Sequence, residues 1–219
     1  MANPSIKIND TLVFEQASGV SKLSNNVTID SGVTFPAGSV LQVKDVYLKD
    51  KFDYTNGSSW TFGTAATRED QSHGGVVDDL SLTLTTKGTN SSFFISLHLS
   101  QCSNSDMDGG YHMAGGIFYS IDSYANPLSR GNADGSRTRV SFGNWTRTGT
   151  GDFCSFDMGC QLGHTSTLAK GATLSYRTVL ATTYTSGGNT IRINSENNDS
   201  NGTSYFRPVS TFRVMEIAT

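Results

Sequence analysis

Charge is scarce in this 219-residue chain: Lys, Arg, Asp and Glu make up 16% of it, and the formal net charge is −3. A nucleic-acid binder would carry a basic stripe, and this balance argues against one. No run approaches the roughly 18 apolar residues of a membrane-spanning helix, so membrane insertion is not expected. The opening MANPSIKINDTLVF has no basic start followed by an apolar core, so no signal peptide is expected. Cysteine is equally sparse. Cys102, Cys154 and Cys160 are an odd set, where a secreted disulfide framework would be even and denser. The last two lie among alternating apolar residues, Phe153, Phe156, Met158 and Leu162. They read as small buried thiols rather than a zinc site or a disulfide, in a chain made in a reducing cytoplasm.

Catalytic and metal signatures are also missing. His73, His98, His112 and His164 fall on separate segments without H-x-x-x-H or H-E-x-x-H spacing. There is no Gly-x-Ser-x-Gly elbow and no phosphate-cradling glycine loop. Asp106 and Asp108 sit in SDMDGG like the start of a calcium loop, but Tyr111, His112 and Met113 follow where further oxygen ligands would be needed. A polar turn is the better reading, and no metal or cofactor is expected. The oxygen-rich stretch 196–203, ENNDSNGT, reads as a solvated hairpin loop. We expect a protein that is not an enzyme.

What is abundant is turn and strand material. Twenty-three glycines accompany many Ser, Thr and Asn residues, which suits an all-β protein with many turns. Residues 1–36 hold short β-prone pieces, Ser5–Ile8, Thr11–Phe14 and Asn26–Ile29, with too little apolar material for an independent core. They are expected to form an attachment and trimerisation arm. Residues 37–219 read as one β head of about nine or ten strands without an amphipathic helix. The pieces are VLQVKDVYL (40–48), DLSLTLTT (79–86), SFFISLHLS (92–100), GGIFYSID (115–122), RTRVSF (137–142), FCSFDMGCQL (153–162), TLSYRTVLATTY (173–184), NTIRIN (189–194) and a terminal strand. In the third, Phe93, Ile95, Leu97 and Leu99 share one face. No fixed-period repeat appears, which argues against a propeller or β-helix.

The ending STFRVMEIAT carries apolar residues on both strand faces, Phe212 and Val214 on one, Met215 and Ile217 on the other. Such a strand is expected to be covered twice. Together with PAGSVLQVKDVYL, the LSLTLTT and SSFFISLHLS pair, the 189–219 stretch and the short β-rich arm, it resembles tail-fibre and virion-surface proteins of bacteriophages, notably those of cyanobacteria and other aquatic hosts. The resemblance covers about residues 36–101 and 170–219. It implies a jelly-roll β-sandwich head similar to that of tumour necrosis factor, usually a homotrimer with the last strand near the three-fold axis. Phe212, Val214, Met215 and Ile217 would then be trimer-interface residues. The arm would bind other virion proteins, and the protein would reside on the tail or capsid surface.

Loops 106–116, 124–136 and 144–153 are glycine-rich and polar and hold Tyr111, Tyr124, Arg130, Trp145 and Arg147. Aromatic rings stack on sugars and arginine bonds hydroxyl or acidic groups, so these five are candidates for contact with a host glycan or surface protein. The bland alternative is that the aromatic residues roof the core. The favoured role is a short tail fibre engaging the host, with a capsid decoration protein as the alternative; a soluble lectin-like sandwich fits the composition but leaves the arm and the buried terminus unexplained.

Overall fold

The computed structural model describes residues 5–8, 11–17, 20–23, 35–56, 75–104, 112–129, 131–132, 139–145, 156–182, 189–195 and 207–219. The chain divides into two compact units, Met1–Phe35 and Pro36–Thr219. The first contains an antiparallel meander, β1 (Ser5–Ile8), β2 (Thr11–Ala17) and β3 (Val20–Leu23), in that spatial order. Ile8 pairs with Thr11 and Ala17 with Val20, so the strands are paired right up to their connections. β3 was not expected from sequence, and the expected strand at 26–29 lies outside the described residues.

The second unit shows ten strands among the described residues: β4 (Val40–Leu48), β5 (Phe52–Asn56), β6 (Gly75–Thr85), β7 (Ser92–Asn104), β8 (His112–Tyr119), β9 (Phe142–Trp145), β10 (Phe156–Thr165), β11 (Thr173–Thr182), β12 (Asn189–Ile193) and β13 (Ser210–Ile217). β7 pairs with β13 along residues 92–98 and with β10 over the same stretch, and β13 pairs onward with β4. This places β4, β13, β7 and β10 side by side in one sheet. The other sheet runs β6-β11-β8-β9. The chain passes from one sheet to the other at every connection among these eight strands except β8 to β9. That winding is a jelly roll. β12 and β5 form an added antiparallel pair, attached to the far end of β7.

Alternation explains the core. Phe93, Ile95, Leu97 and Leu99 of β7 are buried with Leu80, Leu82 and Leu84 of β6, Leu174, Tyr176 and Leu180 of β11, and Phe212 and Val214 of β13. In β6 the register shifts opposite Arg177, so that Thr178 faces Val77 while Tyr176 faces Leu82. The Thr178 hydroxyl donates to the Leu80 carbonyl at 2.8 Å, satisfying a group that the bulge removes from the ladder. The open edge of β6 is met by side chains of β4 rather than by a strand: Lys44 Nζ and Gln42 Nε2 donate to the Thr83 and Thr85 carbonyls at 2.5 and 2.8 Å.

A buried polar knot stands where the inserted pair joins the first sheet. The Ser210 hydroxyl donates to Asn194 Oδ1 at 2.6 Å and accepts from the Ser100 main-chain N–H at 2.9 Å. Asn194, at φ 57°, also donates its amide to the Leu48 carbonyl. Asparagine tolerates that left-handed backbone better than most residues, and its two-sided amide suits the position.

Two expected strands are displaced. Residues 120–122 form a single 3-10 turn instead of extending β8, because Ser123 and Tyr124 both turn left-handed (φ 55° and 59°). The Asp122 carboxylate stabilises that turn by accepting from the Ala125 and Asn126 N–H groups. The strand expected at 137–142 is found at 142–145. Residues 139–141 are instead tied to loop partners, with Ser141 Oγ donating to the Leu128 carbonyl and Gly131 N–H to that of Val140.

Candidate functional site

β13 has one buried face and one outer face. Ser210, Phe212, Val214 and Glu216 have no exposed surface. Phe212 and Val214 belong to the core of the chain's own sandwich, which corrects their expected place in a subunit interface: a side chain already sealed inside presents nothing to a neighbour. Met215 and Ile217 are half-buried on the outer face. There Met215 lies between Val43 of β4 and Phe94 of β7, and Arg213 lies between Asp45 and Ser96. Val43 and Tyr47 are 49% and 50% exposed. The outer face of this sheet thus carries an apolar row, Val43, Met215 and Phe94, beside a polar row of Asp45, Arg213, Ser96 and Gln161.

In that pair, Arg213 donates two hydrogen bonds to the Asp45 carboxylate, at 2.6 and 3.1 Å. The guanidinium holds the Asp45 carboxyl below its ordinary range. Each charge is neutralised by the other, and the face has little net field of its own at this point.

Glu216 occupies the inner face between hydrophobic neighbours. Its carboxylate accepts from the main-chain N–H groups of Lys87 (2.9 Å) and Gly88 (2.8 Å), from the Ser91 hydroxyl (2.7 Å) and from the Gln42 amide (2.5 Å). A buried carboxylate is tolerable only when so satisfied. The arrangement binds β13 to the β6–β7 turn and to β4. Sequence reading passed over Glu216. The available signal was its period-two alignment with Phe212 and Val214.

Of the expected contact residues, Tyr111, Arg130 and Arg147 lie outside the described residues, as do Asp106, Asp108, Cys154, His73 and loop 196–203. Trp145 closes β9 opposite His112. Tyr124 is half-buried, with the Arg177 guanidinium 4.1 Å from its ring centroid. It packs on a second apolar cluster, Phe118, Val179 and Ala181, on the outer side of the β6-β11-β8-β9 sheet. For Tyr124 the roofing role is thus realised.

A serine, a histidine and an aspartate do come together near the end of β7. His98 Nε2 lies 2.9 Å from Ser100 Oγ and 3.8 Å from the Asp157 carboxylate. Both partners approach the same nitrogen, whereas a nucleophilic triad needs the carboxylate on Nδ1 and the hydroxyl on Nε2. The geometry is that of a surface hydrogen-bond cluster. Cys102 and Cys160 are free, and burial pushes each thiol up to about 12, which makes both poor nucleophiles. Among the described residues no group of three or more His, Cys, Asp or Glu side chains could hold a metal ion, and no helix is long and apolar enough to cross a membrane.

Fold and surface define a jelly-roll β-sandwich with a row of apolar side chains on one outer sheet face. No family model matches the chain, and no curated protein matches it in sequence. Among solved structures, a chain of infectious bursal disease virus, Gx strain, aligns at 11% identity with a TM-score of 0.32, over 97% of this chain and 53% of that one. At that score the likeness carries no weight for function.

Proposed function

We propose that the chain is a structural protein of a bacteriophage particle, a short tail fibre whose homotrimeric β head contacts the host cell surface. The observation that carries this reading is the outer face of the β4-β13-β7-β10 sheet. Val43, Tyr47, Met215, Ile217 and Phe94 offer apolar surface to a neighbour, and Asp45 and Arg213 enter it already paired. Burial of such a face against sister subunits adds stability without stranding a charge. Jelly rolls recur in viral capsids and in lectins, which is compatible with the reading at the level of fold analogy alone. The small three-stranded first unit fits an arm that joins other virion proteins, and the role is non-catalytic.

Host contact is assigned to the loops holding Tyr111, Arg130, Trp145 and Arg147, with Tyr124 as a supporting residue packed on the outer side of its own sheet. Light scattering on the purified protein tests the assembly: a mass of three chains is expected, and a monomer would sink the trimer in favour of a lectin-like sandwich. Gold-labelled antibody on intact particles tests the location. Label at the tail is expected, whereas label over the whole capsid would make this a decoration protein.

A further inference from the structure

One imidazole is packed between the sheets where hydrocarbon is otherwise the rule. His164 lies on the inner side of β10 and stacks on Phe93 of β7, centroids 5.2 Å apart and planes within 18°. Tyr119 of β8 and Tyr176 of β11 close around it at 5.3 and 5.7 Å. Tyr176 has no exposed surface and meets Phe212 of β13 edge-on at 6.4 Å. The cluster therefore joins five strands drawn from both sheets.

Its polar contacts define the protonation state. His164 Nδ1 lies 3.2 Å from the Thr165 carbonyl and Nε2 lies 2.7 Å from the Tyr176 hydroxyl. A carbonyl only accepts, so Nδ1 carries the hydrogen and the Nε2 lone pair accepts from the tyrosine. A proton added at Nε2 turns that acceptor into a donor. The Tyr176 hydroxyl must then give up its acceptor inside the core, and a positive charge is left on a partly buried imidazole packed against aromatic rings.

We propose that the His164–Tyr176 pair is an acid-sensitive latch between the two sheets, closed while the imidazole is neutral and released when Nε2 is protonated. Burial holds the imidazole below its ordinary value. The ionisable groups facing the cluster are Tyr119 from β8 and Tyr176 from β11, with Glu216 of β13 acting on Tyr176 and Asp122 on Tyr119. Burial raises both tyrosines, which remain protonated through the neutral range. β7 contributes only the Phe93 ring, and the four residues of β9 do not ionise. Because the folded state binds the His164 proton less well than the unfolded chain, the latch contributes fully above the ordinary histidine value of about 6.5. Its contribution is lost as pH falls from there through the folded value.

Urea unfolding of the full chain between pH 8 and 5.5 tests this, comparing wild type with His164→Phe, Tyr176→Phe and, as an exposed-histidine control, His98→Asn. Wild type and the control should lose folding equilibrium constant on acidification, about tenfold for each unit by which His164 is depressed. His164→Phe keeps the stack and should lose much less over that interval. Tyr176→Phe, having no hydroxyl to orphan, should also be less acid-sensitive. Equal acid losses in wild type and His164→Phe would overturn the latch, and an undiminished loss in Tyr176→Phe would overturn the tyrosine's part in it. If the variants do not fold, the NMR titration of the wild-type His164 ring decides: a midpoint below about 6.5 supports the latch, and one at or above it overturns it.

Discussion

The Glu216 carboxylate, with no exposed surface, accepts a 2.7 Å hydrogen bond from the Ser91 hydroxyl, tying β13 to the start of β7. Glu216→Ala would strand that hydroxyl together with the Lys87 and Gly88 N–H groups. A loss of roughly 2–5 kcal/mol is expected on the cost of unpaired buried donors. Glu216→Gln keeps one acceptor oxygen but turns an NH2 toward donors, so it should fall between wild type and alanine. Urea midpoints of the three proteins check the order.

Substitutions on the two faces of the β4–β13 pair should separate folding from the proposed assembly. Val214→Asp buries a carboxylate in the sandwich core and should leave no cooperative unfolding transition by circular dichroism. Val43→Asp places the same charge on the outer face, where the side chain is half exposed. It should preserve the transition while lowering the mass seen by light scattering, if that face joins subunits. Folded trimers of Val43→Asp would remove this face from the assembly.

Gly159 is required by close approach rather than by backbone angle. A Cβ there would collide with the Leu97 main-chain carbonyl across the β10–β7 ladder, and a ladder carbonyl cannot swing aside. Gly159→Ala should cost about 1–3 kcal/mol, as overpacking does. Gly163, four residues further along β10, has open room, its nearest neighbour being the Phe93 carbonyl at 3.8 Å. Gly163→Ala should be nearly neutral in the same thermal melt.

Cys102 and Cys160 should resist alkylation in the folded protein at pH 8, since only a minute thiolate fraction exists for thiols near 12. Peptide mass spectrometry after a short iodoacetamide pulse should find both unmodified in buffer and both modified in urea. Rapid labelling of native Cys102 would show that β7 opens locally.

Strand content was legible wherever alternation was strict. The Phe93–Leu99 face and the Leu80–Leu84 face were read correctly because period two holds without a break. β5 was missed because FDYTN is short, polar and lacks a clear face, and its pairing with β12 is a long-range event. The strand placed at 137–142 lost to loop hydrogen bonds that no local pattern announces. Apolar residues on both faces of the last strand pointed to cover on both sides; the chain's own sandwich covers the Phe212 and Val214 face, where alternation also puts Glu216. His164 was weighed only as a metal ligand. Its place in step with Met158, Cys160 and Leu162 was the sign of an imidazole inside the core.

Asp45 and Arg213 sit side by side in the sheet yet are 168 residues apart in the chain. At a synthesis rate of about 5–20 residues per second, β4 waits on the order of ten to thirty seconds before its partner emerges from the ribosome. Through that interval β4, and β7 once it is made, lack the strand that lies between them in the finished sheet. The nascent head is thus a natural client for chaperones, and crowded polysomes bring such unfinished lanes close to one another.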